Sequence, residues 1–303
     1  MDRSLRLLLL GPVDACRDGE PLPIGSPKRR LLLAVLAMRA GHVTSTAELV
    51  DALWTGSPPA SATENLRSYI HDLRRVLGAG VIAGHGRPGY TLDVPADALD
   101  LTGFLRLADQ GEAMLAAGDA AGAGEVLRRA LGLWRGPAYE GLEHVPALQA
   151  HAAELEERRL GTLDRRFEAD LRAGAGGDLV AELTALVGRH PYRERFHGHL
   201  MTALYRDGRQ ADALTAFRAA REMLVEDLGV EPGPDLLRLH AAILRGDLPR
   251  PKETTPVPAE LPFDVARFTG RAAELDELDA VLSVTDADPS AVGLAVVAGM
   301  AGV

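Results

Sequence analysis

Residues 60–78 read Ala-Ser-Ala-Thr-Glu-Asn-Leu-Arg-Ser-Tyr-Ile-His-Asp-Leu-Arg-Arg-Val-Leu-Gly, and this stretch constrains the chain more than any other. Leu66, Ile70, Leu73 and Leu77 recur at three- and four-residue steps, the spacing of an amphipathic helix with one buried stripe. On the other side Arg67, His71 and Arg74 stand at i, i+4 and i+7, with Ser68 and Arg75 beside them. A row of cationic and hydrogen-bonding side chains on a rigid rod fits the major groove of DNA. The solvated face of an ordinary helix also carries charges, so the surroundings have to decide.

Upstream, the apolar run 5–10 is followed by Gly11-Pro12 and by the turn dipeptide Asp18-Gly19, which predicts two or three small strands. Pro27 opens a helix where its missing amide is harmless. That helix, 28–40, starts with Lys28, Arg29 and Arg30, and its unbroken apolar run to Met38 implies burial on more than one side. Thr44 or Ser45 caps a second helix whose buried face is Leu49, Val50, Leu53 and Trp54. Trp54 reads as a core plug in preference to a ligand-stacking platform. Gly56, Ser57, Pro58 and Pro59 break the chain before the long helix. After Gly78, two β-prone runs flank the Gly-rich tip 84–89, which makes a hairpin. Strands, three helices and a hairpin are the layout of a winged helix-turn-helix.

Pro27-Lys28-Arg29-Arg30, Glu48-Leu49-Val50-Asp51-Ala52-Leu53-Trp54, Leu73-Arg74-Arg75-Val76-Leu77-Gly78 and Gly89-Tyr90 give the resemblance a name. Residues 1–96 resemble the winged-helix effector domain of two-component response regulators, in the version found in the actinobacterial antibiotic regulatory protein (SARP) family of transcriptional activators. The resemblance implies that 60–77 is the recognition helix and that Arg87 is a wing residue near the minor groove or backbone. The DNA-contacting set is then Arg67, Ser68, His71, Arg74, Arg75 and Arg87, joined by Lys28 and Arg29. The stiff loop with Gly56, Ser57, Pro58 and Pro59 lies off the DNA and is either a surface for RNA polymerase and its sigma factor or a plain connector.

Beyond residue 97 the texture changes to Ala-, Leu-, Arg- and Glu-rich helices. Gly118 is followed by Ala123, Leu127 and Ala130, and Gly208 by Ala213, Phe217 and Ala220 at the same offsets. Gly174, 34 residues before Gly208, leads to Leu179, Leu183 and Leu186. That period and the small/large alternation indicate tetratricopeptide-like helix pairs. Leu133-Trp134-Arg135-Gly136, His190-Pro191-Tyr192-Arg193-Glu194-Arg195, the run 204–214 and Leu228-Gly229-Val230-Glu231-Pro232-Gly233-Pro234 resemble the bacterial transcriptional activation domain of the same family. The expected fold class is mainly α with a small β component: a winged helix-turn-helix over 1–96, then an all-helical, tetratricopeptide-like domain over 97–248.

Five prolines between 249 and 262 mark 249–264 as an extended linker. Past it, an apolar strand over 292–298 runs into Gly299-Met300-Ala301-Gly302-Val303. Gly299 and Gly302 occupy positions of a phosphate-binding loop, whose lysine and hydroxyl do not follow within these residues. By resemblance, 265–303 is the start of the P-loop NTPase domain of larger regulators, cut short. Nucleotide is therefore expected to leave stability and DNA affinity unmoved.

Net charge is −10 overall, yet residues 1–90 hold eleven Lys or Arg against eight Asp or Glu, so this part carries +3 and the rest −13. A basic front on an acidic body permits DNA binding without demanding it. One cysteine, Cys16, excludes an internal disulfide, and no apolar run approaches a membrane span, so a reduced, cytoplasmic setting is expected. No catalytic constellation, metal site or cofactor motif is complete. His197 and His199 point about 200° apart on a helix and do not make a ligand pair. The resemblance implies double-stranded promoter DNA, RNA polymerase and sigma factor as partners, a homodimer on tandem repeats, and antibiotic biosynthesis genes as targets. Two alternatives stay open: a helical-repeat scaffold whose N-terminal domain binds protein, and an NTP-dependent switch.

Overall fold

In the computed structural model, residues 5–54, 56–84, 89–142 and 144–248 are described. The linker, Arg87 and the phosphate-loop glycines Gly299 and Gly302 lie outside them.

The chain opens with a three-stranded antiparallel sheet, β1 (Leu5–Leu8), β2 (Asp14–Arg17) and β3 (Glu20–Pro21). Arg17 pairs with Glu20 across a two-residue turn in which Asp18 (φ 54°) and Gly19 (φ 87°) are both left-handed, the geometry that matches strand twist. Helix α1 (Pro27–Met38) has proline in its first turn and buries every side chain from Leu31 to Ala37, as its unbroken apolar run requires. In α2 (Thr46–Leu53), Ser45 is the N-cap: its hydroxyl accepts from the Glu48 N–H, and Glu48 accepts from the Ser45 N–H. These contacts satisfy two helix-end donors reciprocally. Burial is negligible there, so the Ser45 N–H and then Arg39 hold the Glu48 carboxyl down to about 2.

Helix α3 (Ala62–Leu77) buries Ala62, Leu66, Ile70, Leu73 and Leu77 against α1 and α2. Strands β5 (Ile82–Gly84) and β6 (Gly89–Leu92) form the hairpin, with β4 (Thr44–Ser45) on the far side of β6. Gly89 is needed for this pairing, because a Cβ there would lie 2.8 Å from Val43 and 2.9 Å from the Thr44 carbonyl.

The helical part follows as α4 (Asp100–Ala116), α5 (Ala120–Leu131), α6 (Pro146–Arg172), α7 (Val180–Arg189), α8 (Glu194–Arg206), α9 (Gln210–Leu228) and α10 (Pro234–Arg245). Helices α4, α6 and α8 end on the same turn, with Gly118, Gly174 and Gly208 left-handed. In each, the glycine N–H returns to the carbonyl three residues back and the next N–H to the one five back. This closure reverses the chain within a few residues and lets consecutive helices pack antiparallel. The residues at fixed offsets from these glycines, from Ala123 and Leu127 to Phe217 and Ala220, are buried between the helices.

Two large cores result. The first runs from Leu7 to Leu155 and joins the sheets and α1–α3 to α4, α5 and the start of α6; the second runs from Leu160 to Ile243. The 27-residue helix α6 contributes to both.

Candidate nucleic-acid interface

Helix α3 presents Arg67, Ser68, His71 and Arg75 to solvent, on the side away from its buried stripe. Among the described residues, the side chains of Arg67, Ser68 and His71 have no hydrogen-bond or ion-pair partner. Arg75, 72% exposed, stands 3.8 Å from Asp72 on the same helix, a separation that leaves its guanidinium available.

Three other members of the basic set are engaged within the protein. Arg74 donates from Nε to the Ile82 carbonyl at 2.8 Å and places its guanidinium 5.9 Å from the centre of the Tyr90 ring. It thereby touches both strands of the wing. Lys28 donates from Nζ to the Leu53 carbonyl and sits 5.2 Å over the Trp54 ring. It neutralises the carbonyl end of α2, where a cation is favoured. Arg29 lies 3.5 Å from Asp72, which ties α1 to α3. The basic start of α1 is therefore spent on holding the three helices together.

The sequence pattern does not disclose two supports. Asp72, half-buried on α3 itself, gathers Arg29 and Arg75. Arg17 on β2 donates to the Leu77 carbonyl at 2.6 Å and so caps the end of α3. An acid within a basic helix face is the only local signal for the first, and the second joins residues 60 positions apart.

Residues 56–60 are exposed. The base of this loop is braced by Trp54, half-buried, whose ring stacks on Tyr69 at 6.4 Å with an 18° interplanar angle. In the repeats, His197 donates from Nε2 to the Pro191 carbonyl at 2.7 Å, and His199 meets Asp164 at 2.8 Å. Burial raises the Asp164 carboxyl, but His199 and Arg195 outweigh it and leave it below its ordinary value. Among the described residues no group of three His, Cys, Asp or Glu converges as a metal site, and no helix is long and apolar enough to cross a membrane.

A third helix with an uncommitted basic and hydrogen-bonding face, a wing packed beside it and a helical-repeat body fused to both define a winged-helix regulator of transcription. Comparison with known proteins agrees. Residues 19–92 match the family described as "Transcriptional regulatory protein, C terminal", and residues 99–244 match the "Bacterial transcriptional activator domain". The regulatory protein AfsR of Streptomyces coelicolor is 41% identical over 310 residues, which cover 99% of this chain and 31% of AfsR. The regulatory protein DnrI of Streptomyces peucetius is 39% identical over 253 residues, covering 80% of this chain and 93% of DnrI. The structure of Mycobacterium tuberculosis EmbR in complex with a low affinity phosphopeptide superposes with a TM-score of 0.76 at 32% identity, covering 94% of this chain and 72% of EmbR. The chain belongs to the SARP family of transcriptional activators.

Proposed function

We propose that this chain activates transcription of secondary-metabolite (antibiotic) genes by binding promoter DNA through α3 and the wing, and by recruiting RNA polymerase through its sigma factor. The observation that carries this reading is the free face of α3. Arg67, Ser68 and His71 have no protein partner among the described residues, although many arginines elsewhere are ion-paired. A long cationic side chain and two hydrogen-bonding ones left uncommitted on a rigid helix are available to phosphates and base edges. Arg75 joins them, and the family resemblance adds Arg87 as a proposed contact.

The division into a DNA-binding domain, 1–96, and an activation domain, 97–248, is supported by the two family matches, which meet between 92 and 99. The linker 249–264 is supported by its prolines, and the beginning of an NTPase domain at 265–303 by Gly299 and Gly302 at the spacing of a phosphate-binding loop. Regulators of this kind act by binding, so the protein is proposed to be non-enzymatic and cytoplasmic, and to bind tandem repeats as a homodimer. Selection of duplexes from a random library on the purified chain, followed by gel shifts at several salt concentrations, tests the reading. A short repeated consensus, bound with affinity that falls steeply with salt, is expected. Recovery of unenriched sequence with salt-independent binding would refute it and leave the protein-binding scaffold.

A further inference from the structure

We infer that Arg74 is a positioning residue that sets the wing against the recognition helix, and that it does so in place of reading a base. The inference rests on the DNA-binding reading above.

On the inner face of the wing, Ile82 pairs with Leu92 and Gly84 with Tyr90. Ile82 and Leu92 are fully buried and continue the core from Leu77. One pair further out, the apolar core stops and Arg74 takes over: Nε donates to the Ile82 carbonyl at 2.8 Å, and the guanidinium lies over the Tyr90 ring. Gly84 supplies no side chain at this level, and a Cβ there would come into van der Waals contact with the Arg74 terminal nitrogen at 3.5 Å. The guanidinium thus fills the wedge between α3, β5 and β6 that elsewhere is filled by aliphatic side chains.

Arginine suits this position for two reasons. Its fixed Nε donates along one edge of the fork, and its delocalised cation reaches the face of an aromatic ring at the same time. A lysine retains the charge but has neither the fixed Nε donor nor the flat face. The wing and the recognition helix must enter adjacent grooves together, so a small change in their angle costs contacts on one side of the site. Arg74 therefore acts on affinity through the wing.

The test uses the full chain and the strongest duplex recovered from the random-library selection, with wild type, Arg74→Lys, Arg74→Ala, Tyr90→Ala and the Arg74→Lys/Tyr90→Ala pair. Arg74→Lys is expected to bind about tenfold more weakly, the scale of one lost specific contact. Hydroxyl-radical protection should be lost only on the wing's side of the site, with the salt slope changed only by the wing's own backbone contacts. Tyr90→Ala should reproduce this pattern, and the pair should be no weaker than the worse single variant, since both remove one shared contact. Wild-type affinity in Arg74→Lys overturns the inference. So does a slope flattened by about 0.9 in Arg74→Ala but not in Tyr90→Ala, which marks a phosphate contact of Arg74 itself, or relaxed preference at one base pair. If Arg74→Ala does not fold, Arg74→Lys and Tyr90→Ala decide. Failure of the wild type to bind any selected duplex would instead overturn the DNA-binding reading itself.

Discussion

Asp100 grips Leu9 with both carboxylate oxygens, accepting its backbone N–H at 2.8 and 2.9 Å, at a site where the aspartate is only 2% exposed. The same carboxylate accepts from Leu10 at 3.1 Å and from Leu101 at 2.8 Å, and Arg135 stands 3.8 Å away. Burial raises the Asp100 carboxyl, and the backbone donors and Arg135 oppose that shift. From the other side, the 135–140 connection docks on the segment that follows β1: Arg135, Tyr139 and Glu140 donate their N–H groups to the carbonyls of Leu10, Leu9 and Gly11. The segment that leaves β1 is thus fastened to the helical part by an acid at the start of α4 and by the segment before α6.

Removing that acid leaves the Leu9 and Leu10 N–H groups buried and without their acceptor. Each orphaned donor costs about 1–3 kcal/mol, so Asp100→Ala should lower the unfolding free energy by about 3 kcal/mol or more. Asp100→Asn keeps one acceptor oxygen and should cost less. Urea unfolding of the two variants checks the order; equal stability of Asp100→Ala and wild type would show that the clasp carries no energy.

A second contact at the same junction makes it sensitive to pH. The Tyr139 hydroxyl meets His151 Nδ1 at 2.8 Å, and burial pushes the His151 ring below its ordinary value against the pull of Glu154. The ring is therefore neutral at pH 7, with Nε2 assigned the proton and Nδ1 accepting from the phenol. A histidine whose folded value is lowered supplies stability above its unfolded value, and that stability is lost as pH falls through about 6.5 and on to the folded value. Burial displaces His190 and His240 in the same direction, so the effect must be isolated by substitution. His151→Gln should flatten part of the decline in Tm between about pH 7 and pH 5. An unaltered profile would remove His151 from the account.

Much of this architecture is legible in the residues. The Asp18-Gly19 turn, Pro27 at the head of α1, Ser45 as cap and the helical period of α3 are local signals, and each predicts its element because the physics is local. The glycines at 118, 174 and 208 likewise announce helix turns. What the sequence does not expose is long-range: Leu9 and Asp100 are 91 positions apart, and Arg17 and Leu77 are 60. Nor does a basic residue reveal whether it faces solvent or a neighbouring carbonyl. Arg67 and Arg74, one helix face and seven residues apart, are equivalent in pattern; only the approach of β5 and β6 distinguishes them.

Arg67 and His71 should therefore respond differently from Arg74 when replaced. Each is exposed without a protein partner among the described residues, so alanine there should leave Tm within a degree or two while weakening DNA binding by about 1–3 kcal/mol where a base is read. Where Arg67 neutralises a phosphate, log K should fall less steeply with log salt, by about 0.9 in slope, and the loss should be uniform across sequences. Gel shifts over a salt series, paired with thermal unfolding, separate these outcomes. Full affinity in both Arg67→Ala and His71→Ala would sink the assignment of this face to DNA.

The loop between α2 and α3 is the proposed surface for RNA polymerase. Its residues 56–60 are exposed, and prolines at 58 and 59 restrict the backbone there. Its near end is fixed: Trp54 stacks on Tyr69 of α3, and Lys28 binds the Leu53 carbonyl under the same ring. Holding both ends on packed elements lowers the entropy lost when a partner docks. Pro58→Ala/Pro59→Ala loosens the loop without touching the buried stripe or the free face of α3. The double variant should keep DNA affinity and lose activation in a purified transcription assay with RNA polymerase and its sigma factor. Trp54→Ala removes the brace, and it should lower activation together with stability, by about 3–5 kcal/mol were the ring fully buried and by less for this half-buried one. If the proline variant activates as well as wild type at saturating protein, residues 56–60 are a connector, and the polymerase-facing surface has to lie on the helical repeats.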